Sequence, residues 1–378
     1  MNDTRPAVLL YCEVYRGLGH WVRTSTLAAE FAKRFHTVLV CTGNLREDIL
    51  LPKGVELLRF PRGAHFPCSG DATVWGGHLI EVLERVRPQA VIIEYFPFGR
   101  QQSSLYVIPF LRAARAMQPP ALVLSSVRDI HEQSLGEQDK FDRRVVQGVN
   151  RLMDAVLVHS DPQIVRLQDT FALTSQLQKP VHHTGFVTGP VPPLPPASTG
   201  DEPVCLISVG GGGGGESVLR VAVRCAAMGL FPVDMTVRIA AGSLLSEETW
   251  QELRRDAEGV PRLELHRWIP NLKAEMLKAT VSVSRCGYNT ALDLMSTGVR
   301  ALVIPFIETD EDEQTYRARQ MEAMGLVRVL EQEQLTPETL AAEVAITRSF
   351  QPRRIDVDLD GARNTVDIVE GLIANSHR

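Results

Sequence analysis

Short apolar runs alternate with amphipathic stretches along the first half of the chain. The runs are residues 7–13 (AVLLYCE), 36–43 (HTVLVCTG), 55–60 (VELLRF), 90–96 (AVIIEYF), 121–126 (ALVLSS) and 155–160 (AVLVHS). Between most of them apolar residues recur at helical spacing, as in 21–34 (WVRTSTLAAEFAKR). Continuous apolar strands separated by helices predict a parallel sheet covered on both faces, an α/β unit of Rossmann type. Residues 189–203 (GPVPPLPPASTGDEP) hold six prolines and no periodicity, which predicts a stiff linker. The alternation then restarts at 204–210, 234–242, 262–268, 279–285 and 300–306. The expected organisation is an N-terminal domain over 1–189, a linker over 190–203, and a second α/β domain over 204–352. A C-terminal segment, 353–378, ends in a helix expected to pack back on the first domain. Two such domains are expected to face each other across a cleft.

Composition narrows the function classes. The chain has 378 residues, 44% hydrophobic and 22% charged, with a net charge of −5. That balance excludes a typical nucleic-acid binder, which needs a basic surface. It also argues against a broad basic membrane-binding face. The cysteines at 12, 41, 68, 205, 225 and 286 lack metal-ligand spacing and read as reduced, buried thiols. The N-terminal apolar run is too short for a signal peptide, and nowhere are 18 consecutive residues apolar. A cytoplasmic protein is expected.

Three stretches carry candidate chemistry. The first is LISVGGGGGGESVLR, residues 206–220. Its glycines follow a predicted strand and precede a predicted helix. There, backbone N–H groups can approach a diphosphate, aided by the helix N-terminus; a plain hinge is the other reading. No Lys-Ser/Thr pair follows, so this is not a Walker A loop. The second is EVYRGLGHWVRTS, residues 13–25. Gly17 and Gly19 permit a tight turn, and His20 and Arg23 fall at the helix start. His20 reads as a general base at neutral pH, or as a capping residue beside a surface Arg. The third runs from 284 to 322. Its turn, RCGYNT, leads a helix carrying Thr290 and Asp293. That helix start can bind phosphate, and the acid can accept bonds from a ribose. The strand RALVIPF then delivers a loop ending in Glu313 and Gln314, and such a pair can bond sugar hydroxyls. Ordinary capping and a solvated acidic run are the competing readings.

These motifs together resemble the MurG family of peptidoglycan N-acetylglucosaminyltransferases and its GT-B relatives. The segment VSVSRCGYNTALDLMSTGVRALVIPF matches the family's donor-binding pattern through Arg285, Gly287, Thr290 and Asp293, with Asn289 inside the turn. The family acid is usually Glu, so Asp293 is one methylene short. The sugar-contacting Gln loop matches Glu313 and Gln314. The Gly-rich phosphate loop matches 210–215, placing Gly211, Gly212 and Gly213 on the diphosphate. HRWIPNLKAEM is similar to the family segment that reads uracil, which sets Trp268 and Ile269 against the base. GLGH resembles the family's GxGH loop and carries His20. A MurG-like subgroup shares GLGHxxR, an RDI segment (Arg128, Asp129, Ile130), VGGGG and GYNT. The resemblance covers most of the chain and is strongest in the C-terminal half.

What the resemblance implies is a GT-B fold and an inverting, metal-independent transfer of a sugar, by default N-acetylglucosamine, from a UDP-sugar co-substrate to a small acceptor. His20 would serve as base, and Gly19 and Arg23 would contact the acceptor. Glu94 and Asp129, both at predicted strand ends, read as reserve bases or as ion-pair partners of Arg100 or Arg128. No cofactor is expected. The D-x-D pairs Asp310/Asp312 and Asp356/Asp358 are expected to be solvated surface rather than a metal site. Residues 96–117 mix aromatics and arginines; core packing is expected there, and a soluble acceptor over a lipid-linked one. The rivals are a nucleotide-sugar hydrolase, a 2-epimerase, and a non-catalytic nucleotide-sugar sensor.

Overall fold

The computed structural model describes residues 5–14, 18–43, 45, 51–60, 69–131, 137–193, 202–210, 214–242, 244–306 and 313–376. The chain divides into two compact units, Met1–Gly189 with Val357–Arg378, and Pro190–Asp356. The return to the first unit comes at Val357 rather than at 353. Residues 353–355 still belong to the second: the Arg353 N–H donates to the Gly325 carbonyl at 2.8 Å, and Ile355 packs on that unit's core.

In the first unit the strands are β1 (Ala7–Val14), β2 (His36–Gly43), β3 (Val55–Arg59), β4 (Ala90–Glu94), β5 (Leu122–Val127), β6 (Ala155–Val158) and β7 (Val181–His183). They pair in the order β3-β2-β1-β4-β5-β6-β7, all parallel. All eight residues of β1 are buried, as a strand covered on both faces requires. The helices are α1 (Gly19–Phe31), α2 (Ser69–Val86), α3 (Ser104–Ala116), α4 (Gln138–Leu152) and the short α5 (Leu167–Thr170). Within α3, Tyr106, Val107, Phe110, Leu111 and Ala114 face the core, so 96–117 packs inward as expected.

The second unit repeats the plan. Its strands are β8 (Val204–Ser208), β9 (Thr236–Ala240), β10 (Leu263–His266), β11 (Val281–Ser284), β12 (Ala301–Val303) and β13 (Arg328–Val329), in the order β10-β9-β8-β11-β12-β13. Again all are parallel. Its helices are α6 (Glu216–Ala227), α7 (Glu247–Ala257), α8 (Leu272–Lys278), α9 (Tyr288–Thr297), α10 (Glu313–Ala323) and α11 (Pro337–Ser349). Apolar clusters lie on both faces of each sheet. Two strands escape the sequence reading, β7 and β13. They are three and two residues long and only half buried, so they carry no apolar run to detect. No helix among the described residues is long and apolar enough to cross a membrane.

The last helix, α12 (Gly361–Ser376), returns to the first unit. Val366, Val369 and Ile373 join the cluster containing Leu27, Phe31 and Phe35, a helical i, i+3, i+7 stripe meeting α1. Arg34 closes the rim on Asp367 at 2.6 Å and Glu370 at 2.9 Å. The helix enters through a tight backbone crossing: a Cβ at Gly361 would come within 2.3 Å of the Gly185 carbonyl oxygen. Asp358 is part of the same latch, accepting bonds from the Asn364 side chain at 2.9 Å and the Asp360 N–H at 3.0 Å. Replacing Gly361 by Ala forces backbone apart and is expected to cost about 1–3 kcal/mol. Urea denaturation measures this; a loss below about 0.5 kcal/mol, the range of ordinary surface substitutions, would contradict the crossing.

Candidate active site

Each sheet starts in its middle and winds outward in both directions. In the first unit the chain leaves β1 toward β2, and leaves β4 toward β5. The connections therefore diverge beyond the carboxyl ends of β1 and β4, where open α/β sheets hold ligands. The same divergence occurs between β8 and β11. Of the residues singled out from the sequence, Gly19, His20, Arg23 and Glu94 fall at the first point, and Arg285, Gly287, Asn289, Thr290 and Asp293 lie on the turn and helix that follow β11; Asp129 follows β5, Trp268 and Ile269 follow β10, and Glu313 and Gln314 follow β12.

At the first point, His20 is the second residue of α1 and Glu94 the last of β4. The His20 Nδ1 lies 2.8 Å from Glu94 Oε1. Arg23, one turn further along α1, donates to the same carboxylate. Arg23 is 1% exposed and Glu94 3%, so this is a buried ion pair with an imidazole at its edge. Burial alone would push the Glu94 carboxyl up, but His20, Arg23 and Arg100 outweigh it and hold the carboxyl at about 2. Burial pushes His20 below its usual value; the Glu94 charge resists, while Arg128 and Arg100 add to the lowering. His20 is therefore neutral at pH 7, and the cation that keeps Glu94 ionised there is Arg23. A neutral imidazole whose Nδ1 faces a carboxylate carries its proton on Nδ1. That assignment leaves the Nε2 lone pair as the proton acceptor.

The surrounding loop is strained. Tyr95 and Arg100, with φ of 67° and 57°, both sit in the left-handed region, where non-glycine residues concentrate at functional sites. The Tyr95 ring lies 5.8 Å from the His20 ring and carries the Arg128 guanidinium at 4.9 Å. Gly99 makes room for it: a Cβ there would meet the ring at 2.4 Å. Beneath β1, Glu13 takes hydroxyl bonds from Tyr11, Ser103 and Tyr106, each at 2.8 Å.

Three expectations change here. Arg23 does not offer its head to an acceptor; it is buried against Glu94. Glu94 is no reserve base, because a carboxyl held at about 2 is too weak a base at neutral pH. It fixes the imidazole instead. Asp129 follows β5 and is buried, 3% exposed, closed to an incoming acceptor. Gly19 is exposed at the first position of α1, where an acceptor can approach. The sequence reading missed Tyr95, Arg128 as a neighbour of His20, and Glu13. Glu13 and Glu94 each sit inside an apolar strand run, and that was the available signal.

At the second point, β8 leads through Gly210 (φ 70°) and Gly214 (φ 70°) to Gly215, which starts α6. A Cβ at Gly214 would come within 2.3 Å of the Phe306 ring, and one at Gly215 within 2.3 Å of Val209. The loop's far end is thus sterically committed to glycine, unlike a plain hinge. Gly211, Gly212 and Gly213 lie outside the described residues. Both α6 and α9 begin on a glycine, Gly215 and Gly287, with no capping side chain. By contrast α7, α8 and α11 are capped by Ser246, Asn271 and Thr336. Asn289 and Thr290 are half buried in the first turn of α9. Helix starts without a capping side chain at the carboxyl ends of strands suit an anion.

Arg285 plays a different part from the one expected. Its guanidinium is buried and donates to the carbonyls of Gly214, Ile304 and Pro305 and to Gln332 Oε1. It also stacks on Phe306 at 4.9 Å. It braces the glycine loop from behind rather than reaching a ligand. Glu313 likewise turns inward, paired with Arg317 at 2.6 Å. Gln314 Oε1 accepts the N–H groups of Cys286 and Phe306, each at 3.2 Å, and so ties the 285–287 turn to the end of β12. Trp268 stands 60% exposed, available for stacking, while Ile269 is half buried against the core. Asp293 pairs with Lys273 at 3.0 Å. Among the described residues no group of three or more His, Cys, Asp or Glu side chains is placed to hold a metal ion; Asp310 and Asp312 lie outside them.

The chain is similar in sequence and in fold to known glycosyltransferases. Residues 206–357 match the model of the glycosyltransferase family 28 C-terminal domain. The UDP-N-acetylglucosamine–N-acetylmuramyl-(pentapeptide) pyrophosphoryl-undecaprenol N-acetylglucosamine transferase of Erythrobacter litoralis is 24% identical over 339 residues, 86% of this chain and 78% of that protein. The calicheamicin glycosyltransferase CalG4 superposes with a TM-score of 0.60 at 17% identity, over 99% of this chain and 95% of its own. Acinetobacter baumannii MurG does so with 0.59 at 16%, over 97% and 100%.

The Arg23–Glu94 pair makes a stability prediction. Glu94→Ala removes the carboxylate that the buried Arg23 guanidinium donates to and is expected to cost about 3–5 kcal/mol. The carboxyl is held below its ordinary 4.5, at about 2. Its contribution is therefore complete above about pH 4.5 and lost as pH falls toward 2. Denaturation midpoints of the wild type and Glu94→Gln, followed from pH 6 to 3, check this. An equally steep acid loss in the variant would contradict it.

Proposed function

With residues 206–357 forming a glycosyltransferase family 28 C-terminal domain and the chain a MurG-like glycosyltransferase of GT-B fold, we propose that it moves a sugar from a UDP-sugar to a small soluble acceptor, with inversion and without a metal ion. The observation that carries this reading is the neutral His20, held through Nδ1 by a Glu94 carboxylate that Arg23 keeps ionised. An acceptor hydroxyl gives its proton to Nε2 as its oxygen bonds to the anomeric carbon. The bond from that carbon to the diphosphate breaks on the opposite face, and UDP leaves with the electron pair. The glycine loop and the first turn of α9 take up the charge that grows on the diphosphate. Arg285, Gln314 and Phe306 hold that loop and turn in shape, so little reorganisation accompanies the reaction. Trp268 flanks the base, and Asp293 meets the ribose. N-acetylglucosamine is the default sugar, from the names of the relatives.

The Erythrobacter relative is named for an undecaprenol-linked acceptor. What favours a soluble one here is the inward-facing apolar side of α3 together with the net charge of −5. Hydrolysis is the second reading, since the His20 arrangement activates water as well as an alcohol. It differs by releasing free sugar with no acceptor present. A 2-epimerase would return an isomerised UDP-sugar from this substrate, and a sensor would bind UDP and leave UDP-sugars intact.

Two measurements test the proposal. Calorimetric titration with UDP, GDP, dTDP and NAD, with EDTA present, is expected to show selective UDP binding. A preference for NAD or dTDP would overturn the donor reading. His20→Ala is expected to slow UDP release from the UDP-sugar by about 100–10,000-fold with little change in UDP affinity. Because the base must be neutral, kcat/KM of the wild type should fall only as pH drops below about 6.5, the ordinary imidazole value. Near-wild-type turnover in His20→Ala would overturn the assignment.

A further inference from the structure

The Asp293–Lys273 pair is not accounted for by the expectation of a lone acid at this site. Lys273 sits in the first turn of α8 and Asp293 in the second turn of α9. These helices follow β10 and β11, so both begin at the carboxyl ends of their strands, and they pack against each other. The ammonium lies 3.0 Å from Asp293 Oδ1, with side-chain exposures of 10% and 26%. A lysine this covered is uncommon unless it is paired. The pair is nevertheless incomplete. Oδ2 of Asp293 takes no hydrogen bond among the described residues, and it is not sealed from solvent. Burial pushes the Asp293 carboxyl up, and Lys273 only partly opposes this. A half-satisfied carboxylate in a partly covered place gains from an added hydroxyl donor. Asn289 and Thr290, four and three residues earlier on α9, share its helix face.

We propose that Lys273 is a specificity-determining residue of the nucleotide site: its ammonium and the open oxygen of Asp293 form a donor–acceptor pair that reads the cis-diol of a ribose. The proposal rests on the nucleotide reading of the second unit. Each hydroxyl of a diol both donates and accepts. In the proposed pose the 3′-hydroxyl donates to Asp293 Oδ2, and the 2′-hydroxyl accepts from the Lys273 ammonium. The pair compensates for the short reach of Asp by adding a second contact from the neighbouring helix. A 2′-deoxyribose satisfies only half of it. The site therefore selects a ribonucleoside diphosphate over its 2′-deoxy counterpart, since a hydrogen bond to a charged group is worth about 10–100-fold in affinity.

The test is calorimetry with UDP and 2′-deoxy-UDP on the full chain, for the wild type, Lys273→Met and Lys273→Arg. The wild type is expected to prefer UDP by about 10–100-fold. Lys273→Met should weaken UDP binding by about tenfold or more, leave 2′-deoxy-UDP nearly unchanged, and so collapse the preference. Lys273→Arg keeps a donor and should retain part of it. Should Lys273→Met melt early, Lys273→Gln, which keeps a neutral donor, is read in its place and should lose most of the preference. A wild type that binds both nucleotides equally overturns this proposal and leaves the nucleotide reading standing. So does a folded Lys273→Met that keeps the full preference. A wild type that binds neither nucleotide overturns the nucleotide reading, and this proposal with it.

Discussion

A parallel sheet that starts in its middle and winds both ways has one place where the connections part. Beyond the carboxyl ends of β1 and β4, and again beyond β8 and β11, adjacent strands send their chains to opposite edges. The gap cannot be closed by the backbone, so side chains and helix starts must furnish it. The ion pair of the first unit and the glycine loop of the second both follow from that constraint. The two units answer it differently. The first fills its gap with charge, the second with glycine.

In the first unit the filling is an ion pair that would be a poor choice for stability alone. Taking Arg23 and Glu94 out of water costs several kcal/mol per ion, and well-packed apolar residues often do as well. The pair gains meaning from its third member. A carboxylate kept ionised by a buried cation can hold an imidazole in one orientation and one tautomer, while burial keeps that imidazole neutral. The left-handed Tyr95 and Arg100 are the local cost of bringing the β4 loop up beside it. In the second unit the glycine loop is shaped from behind. Arg285 points away from the gap and holds the loop by its carbonyls, Phe306 occupies the space the missing Gly214 side chain leaves, and Gln314 ties two backbone N–H groups together. A loop shaped this way from behind presents backbone, which suits a diphosphate.

Much of this was legible before any coordinates. The apolar runs place eleven of the thirteen strands found among the described residues, because a strand buried on both faces must be continuously apolar. The run 90–96 overshoots β4 by two residues because Tyr95 and Phe96 are as apolar as the strand but lie in the turn after it. Short edge strands such as β13 carry no such signature. At the sites, residue type was readable but direction was not. Arg23 looked like an acceptor contact because it is basic and near a glycine turn. Yet it stands four residues before Leu27 and eight before Phe31, on the stripe that faces the core, and that spacing pointed inward. Arg285 was placed in the correct neighbourhood with the wrong orientation, since no periodicity tells a brace from a ligand contact. Lys273 passed unnoticed inside a segment read for its backbone.

The central claim is that the two gaps have separate duties, nucleotide in the second and proton transfer in the first. Amide chemical-shift mapping of the labelled chain during a UDP titration tests it most directly. The account predicts that the shifts concentrate at 209–216, 268–273 and 285–293, with the β4 loop and the start of α1 little affected. Shifts centred instead on 18–23 and 94–100, with the glycine loop silent, would contradict it.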